Sequence, residues 1–185
     1  MRAFSVPLST ATLHVSEHGD AASTHPALVL LHHFGGSGRT WNPVVEILAG
    51  RGFRCIAPDL RGFGGSRTPG DAPARFTVDS MANDMRELVT CMELERWAIV
   101  GHSMGGKVAL ALAAQQPPGL QAVALLAPSP LSPEPMPEDE RARLLAGYGD
   151  PDSAGATLQK ITRSELPDEL RAVALTDLLR ASAPA

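Results

Sequence analysis

No histidine follows position 102 in this 185-residue chain: the six present are His14, His18, His25, His32, His33 and His102. Cysteine is nearly as scarce. Cys55 and Cys91 stand in apolar surroundings with no C-x-x-C spacing, which excludes a zinc ribbon or redox motif and predicts two buried free thiols. No basic cluster occurs and the net charge is −4, so a nucleic-acid surface is excluded. No apolar run approaches a membrane span. Residues Met1 to Thr10 lack the basic and long apolar regions of a signal peptide. Neither G-x-x-x-x-G-K-[ST] nor G-x-G-x-x-G fits the glycine-rich stretches, so no nucleotide cofactor is expected, and no metal. A reduced, cytoplasmic protein is the expectation.

Apolar residues at 44% and charged residues at 19% describe a globular chain, long enough for one sizeable core. Strand-like and helix-like segments alternate along it. Phe4 to Val6 and Ala11 to Val15 are short and β-compatible, with a turn at His18-Gly19-Asp20. Ala27 to Leu31 is continuously apolar, as a strand buried on both faces requires. Thr40 to Ala49 reads as a helix capped by Thr40, and Phe53 to Ala57 as the next strand. In the helix expected over Thr77 to Met92, Met81, Met85, Leu88, Val89 and Met92 form one apolar stripe. Trp97 to Val100 and Leu120 to Ala127 are further strands, flanking an alanine-rich helix over Lys107 to Gln116. This order implies a mostly parallel sheet with helices on both faces. After five prolines between Pro128 and Pro137, three helices are expected, Pro137 to Tyr148, Ser153 to Ser164 and Pro167 to Arg180. Residues 1–130 therefore read as a sheet core and 131–185 as a helical lid.

The pentad Gly101-His102-Ser103-Met104-Gly105 lies between a strand and a helix. That is the context of a nucleophile elbow, in which a strained turn lifts a serine hydroxyl out of the sheet. Crowding at such a turn leaves no room for side chains at 101 and 105. A serine needs a base to take its proton, and His102, its sequence neighbour, is expected to point away from it. The segment His32-His33-Phe34-Gly35-Gly36-Ser37-Gly38 follows the most apolar strand, and Pro58-Asp59-Leu60-Arg61-Gly62-Phe63-Gly64-Gly65-Ser66 follows the next.

These three motifs, in this order, resemble the α/β-hydrolase superfamily, in the style of small esterases, lactonases and cofactor-free haloperoxidase-like members. The resemblance implies Ser103 as nucleophile and the backbone N–H groups of Phe34 and Met104 as an oxyanion hole. It gives His32, His33, Gly101, His102 and Gly105 supporting places. It makes Asp59 the organiser of a turn at the edge of the active site rather than a catalytic acid. His33 stands where the family usually has glycine. The family's acid and histidine come on loops after two further strands. The chain thus resembles the first two-thirds of a larger hydrolase, and Leu120 to Ala127 is expected to be an open, apolar edge prone to self-association. The expected substrate is a small apolar ester or lactone, with weak or no turnover by these 185 residues alone. The alternative expectation is a ligand-binding protein that keeps the lidded pocket without catalysis.

Overall fold

The computed structural model describes residues 1–69, 76–133, 135–146, 149–162 and 164–180. Six strands form one sheet: β1 (Arg2–Pro7), β2 (Thr12–His18), β3 (Ala27–Leu31), β4 (Cys55–Pro58), β5 (Trp97–His102) and β6 (Leu120–Leu126). Their spatial order is β1-β2-β4-β3-β5-β6. β1 and β2 pair antiparallel, β2 pairs antiparallel with β4, and β4, β3, β5 and β6 run parallel. The helices are α1 (Asn42–Gly50), α2 (Val78–Cys91), α3 (Met104–Ala114), α4 (Glu138–Ala146), α5 (Pro151–Ile161) and α6 (Asp168–Arg180).

The alternation of side chains along each strand divides the interior into two layers. Val29 and Leu31 of β3, Ile56 of β4 and Ile99 of β5 face α2 and α3, packing on Met81, Met85, Leu88, Val108 and Leu112. Leu30 of β3 and Cys55 and Ala57 of β4 face the other way, onto Trp41 and Val45. Strand β3 is apolar throughout because both of its faces are covered. Among the described residues strand β6 pairs with β5 alone, and six of its seven residues are exposed.

Local chemistry moved several boundaries. Thr40 caps no helix. A 3₁₀ turn over Gly38–Trp41 precedes α1 and is capped by Ser37, whose Oγ accepts from Arg39 N–H, and α1 itself has no side-chain cap. Strand β2 continues to His18 because Ser16, Glu17 and His18 pair with β4. Helix α3 begins directly at Met104, three residues earlier than the alanine pattern indicates. Cys91 is exposed rather than buried, because it sits on the flank of the α2 stripe, while Cys55 is buried and its thiol pushed up to about 11 by desolvation. Tyr148, the expected end of the first late helix, lies outside the described residues.

Candidate active site

Ser103 forms the turn between β5 and α3 with φ 52° and ψ −116°, backbone that a non-glycine residue adopts only under constraint. The constraint comes from the end of β6, the segment just after it and the first turn of α3. Ser103 N–H donates to the Leu126 carbonyl at 3.1 Å, and the Ser103 carbonyl accepts from Ser129 N–H at 3.0 Å and Gly106 N–H at 2.9 Å. The flanking glycines are required by close backbone approach. A Cβ on Gly101 would stand 2.4 Å from the Gly105 carbonyl oxygen, and one on Gly105 would stand 2.5 Å from that of Leu31.

The turn places Ser103 at the wall of a cavity of about 640 Å³. The loop at His33–Gly36, with Arg39, Thr40 and His102, forms the same side. The opposite side belongs to α5 and α6, where Leu158, Leu170, Val173 and Leu178 supply an apolar surface. Ser103 Oγ lies 3.5 Å from Ser129 Oγ, and no described histidine hydrogen-bonds it.

The histidines of the loop differ sharply. His32 is fully buried, and both its ring nitrogens are committed: Nε2 accepts from Leu60 N–H at 2.9 Å, and Nδ1 lies 2.7 Å from the His33 carbonyl. A carbonyl only accepts and an amide only donates, so the ring is the neutral Nδ1–H tautomer. Desolvation pushes its pKa down to about 4. His32 thus ties β3 to the loop after β4 and has no lone pair left for Ser103. His33 donates from Nδ1 to the Phe34 carbonyl at 2.7 Å and meets His102 edge-on, with ring centroids 5.2 Å apart. His102 does not point away from the serine's surroundings: it lines the same cavity, and burial followed by the His33 charge lowers its pKa.

Phe34 lies at the cavity wall with its ring edge-on to Phe63. The Met104 side chain packs against the α2–α3 core instead of lining the cavity, and its N–H is the first of helix α3. Asp59 is buried and fully engaged: Oδ1 accepts from Gly38 N–H and Oδ2 from Gly65 N–H, each at 2.7 Å. Gly64, at φ +53°, is needed beside it, because a Cβ there would meet Asp59 Oδ2 at 2.1 Å. Nearby, the Arg61 guanidinium forms a buried ion pair with Asp84 of α2 and donates to Thr10 Oγ1 at 2.8 Å.

Sequence reasoning missed two features of this site. Asp177 of α6 is a buried carboxylate at the cavity wall, bonded to Ser37 and Arg39. Its signal was available as a charge interrupting the stripe of Leu170, Val173, Ala174 and Leu178. Ser129 beside Ser103 had no local signal, because only the fold brings residue 129 to residue 103. Among the described residues there is no group of three or more potential metal ligands, and no helix is long and apolar enough to cross a membrane.

The chain is similar to known proteins in sequence over part of its length and in fold over nearly all of it. An uncharacterized protein of Mycobacterium tuberculosis H37Rv is 46% identical over 96 residues, spanning 52% of this chain and 27% of its own length. A fluoroacetate dehalogenase of a Burkholderia species is 38% identical over 103 residues, spanning 55% of this chain and 34% of its own. The chain thus spans about a third of the length of these curated relatives. Among solved structures, a protein of Burkholderia cenocepacia superposes with a TM-score of 0.85 at 23% identity, covering 99% of this chain and 69% of the other. An esterase from Exiguobacterium antarcticum gives 0.78 at 21%, covering 94% and 66%. Relatives named for different hydrolytic reactions share this framework, so the framework does not choose among them. The family model for the alpha/beta hydrolase fold matches residues 26–172, a span that includes both loops, the elbow and most of the helices over the cavity, and the chain belongs to that family.

Proposed function

We propose that this chain carries the nucleophile and binding pocket of a serine hydrolase for small esters or lactones with an apolar acyl group. The observation that carries the reading is Ser103 itself, held at φ 52° by bonds from both sides at the wall of a largely apolar cavity. Strain of this kind costs on the order of 1–3 kcal/mol and persists where the surroundings enforce it, most often at functional sites. In the proposed reaction Ser103 Oγ attacks the substrate carbonyl carbon and its proton passes to a base. The carbonyl oxygen becomes an oxyanion, held by the Phe34 and Met104 amides. Its collapse breaks the ester C–O bond, the leaving oxygen takes the proton from the base (staying tethered to the acyl group in a lactone), and water then cleaves the acyl-enzyme. The acyl part would lie along Leu158, Leu170, Val173 and Leu178. Helices α5 and α6 act in this reading as the lid over residues 1–130.

Among the described residues no imidazole or carboxylate is hydrogen-bonded to Ser103 Oγ as a proton acceptor. His32 is committed to the fold, and neither His33 nor His102 is bonded to Ser103 Oγ. The 185-residue chain is therefore expected to react sluggishly. A fluorophosphonate probe tests this: slow labelling confined to Ser103, abolished in Ser103→Ala, is the expected result. Rapid stoichiometric labelling would show a working base and overturn the sluggish-serine statement, while labelling elsewhere would overturn the nucleophile assignment. The missing serine–imidazole bond also favours a second reading, a binding protein that keeps the pocket without turnover. Thermal stabilisation by a saturated fatty-acid ester, with that ester recovered intact, would select it.

A further inference from the structure

We propose that Asp177 is a positioning residue that couples the seating of lid helix α6 to the shape of the 33–39 loop; this rests on that loop carrying the oxyanion-hole amide. Asp177 is 1% exposed, and a buried carboxylate is unfavourable unless its oxygens are bonded. Both are. Oδ2 accepts from Ser37 Oγ–H at 2.6 Å and Oδ1 pairs with the Arg39 guanidinium, across more than 130 residues of sequence. Ser37 is also the cap of the 3₁₀ turn, since its Oγ accepts from Arg39 N–H at 3.3 Å. On the core side of the same turn Gly38 N–H donates to Asp59 Oδ1 at 2.7 Å.

Residues 37–39 are thus held between two buried carboxylates, Asp59 from the loop directly after β4 and Asp177 from the lid. One residue along α6, Leu178 lies over Gly35, where an added Cβ would stand 2.8 Å from Leu178 Cδ2. Helix α6 therefore touches the loop both before and after the cap. It cannot lift without releasing Ser37 Oγ–H and the Arg39 guanidinium, and the loop cannot keep its capped turn unchanged when that happens. The carboxylate ties the helix to the hydroxyl that shapes the loop, so lid closure and placement of the Phe34 amide become one event.

Amide hydrogen exchange on the 185-residue chain tests this without requiring an active serine. In Asp177→Asn, exchange over residues 33–40 and 168–180 is expected to accelerate together, by about tenfold, with α2 and α3 unchanged. Ser37→Ala, which keeps the Asp177–Arg39 pair, is expected to loosen the same two segments by about threefold, and it carries the test if Asp177→Asn does not fold. Acceleration of residues 168–180 alone, with the loop at its original rate, would reduce Asp177 to a lid anchor and overturn the coupling. Unchanged exchange in both segments would overturn it too. A second readout separates positioning from mere anchoring. With a saturable phosphonate, Asp177→Asn should lower the maximal rate of Ser103 modification by about tenfold, with less than about a threefold change in half-saturation. A change in half-saturation alone would overturn the positioning role. If Ser103 is inert in the parent chain, the nucleophile reading fails on that result, while hydrogen exchange still decides the coupling.

Discussion

At the scale of single residues, the site is a set of conformations that only particular side chains tolerate. Ser103 at φ 52° is the clearest, and replacing it removes both strain and reactivity. Ser103→Gly is expected to raise stability by about 1 kcal/mol in urea denaturation while abolishing phosphonate labelling, since glycine reaches this backbone freely at some cost in chain entropy. Gly105→Ala should do the opposite. Its Cβ would meet the Leu31 and His32 carbonyl oxygens at 2.5 and 2.6 Å, backbone atoms that cannot turn aside, and a loss of about 3 kcal/mol is expected in the same assay. His32 makes a prediction about pH. Burial lowers its pKa to about 4 from an ordinary 6.5, so between those values the unfolded chain binds a proton that the folded chain refuses. Its contribution to stability is fully present above pH 6.5 and is lost as pH falls towards 4, with a slope of up to about 1.4 kcal/mol per pH unit. Urea midpoints for parent and His32→Gln, taken from pH 7 to pH 4.5, should show a shallower slope in the variant. Parallel slopes would remove His32 as the cause.

At the scale of elements, what the sequence made legible was whatever local periodicity controls. The run Ala27 to Leu31 is a strand because two layers cover it, and Met81, Met85, Leu88 and Val89 are buried because helical spacing puts them on one face. The need for glycine at 101 was likewise local, a matter of crowding against Gly105 and Gly106 within one turn, whereas glycine at 105 answers to the Leu31 and His32 carbonyls about seventy residues earlier. Contacts between distant segments were not legible. Thr40 looked like a cap, but the chain inserts a 3₁₀ turn whose cap, Ser37, is itself held by Asp177. His102 was expected to face away, yet the left-handed step at Ser103 leaves it on the cavity wall. The link between Arg61 and Asp84 is another such contact, joining the loop after β4 to α2. Burial pushes the Asp84 carboxyl up, and the Arg61 bonds and charge pull it back only in part. Arg61→Leu strands that acid in the core and is expected to cost about 3–5 kcal/mol, whereas pairing it with Asp84→Leu should recover most of the loss. A double-mutant cycle by urea denaturation checks both values, and a single variant within about 1 kcal/mol of the parent would show that the pair does not organise the loop.

At the scale of the whole molecule, the sheet is finished on one side and open on the other. The antiparallel pair β1–β2 closes one margin with a short ribbon whose outer strand is largely exposed, starts with Arg2 and ends at Pro7. The other margin among the described residues is β6, whose one neighbouring strand is β5 and which carries exposed Val123, Leu125 and Leu126. Protected edges carry charge, proline or a covering element, and β6 has none of these within Leu120–Leu126. The same segment holds the turn at Ser103, because Leu126 and Ser129 supply two of the bonds that fix it. Whatever pairs with β6 therefore also acts on the elbow. The 185-residue chain is expected to self-associate through this edge, giving a weight-average mass above 19.5 kDa in sedimentation equilibrium that rises with concentration. Leu125→Lys places a charge on the edge and should return the chain towards 19.5 kDa without lowering its urea midpoint, since Leu125 is 39% exposed and contributes little to the core. If the parent chain stays at the monomer mass across the concentration range, the edge is not an association surface. If Leu125→Lys leaves association intact, the contact lies elsewhere on the molecule.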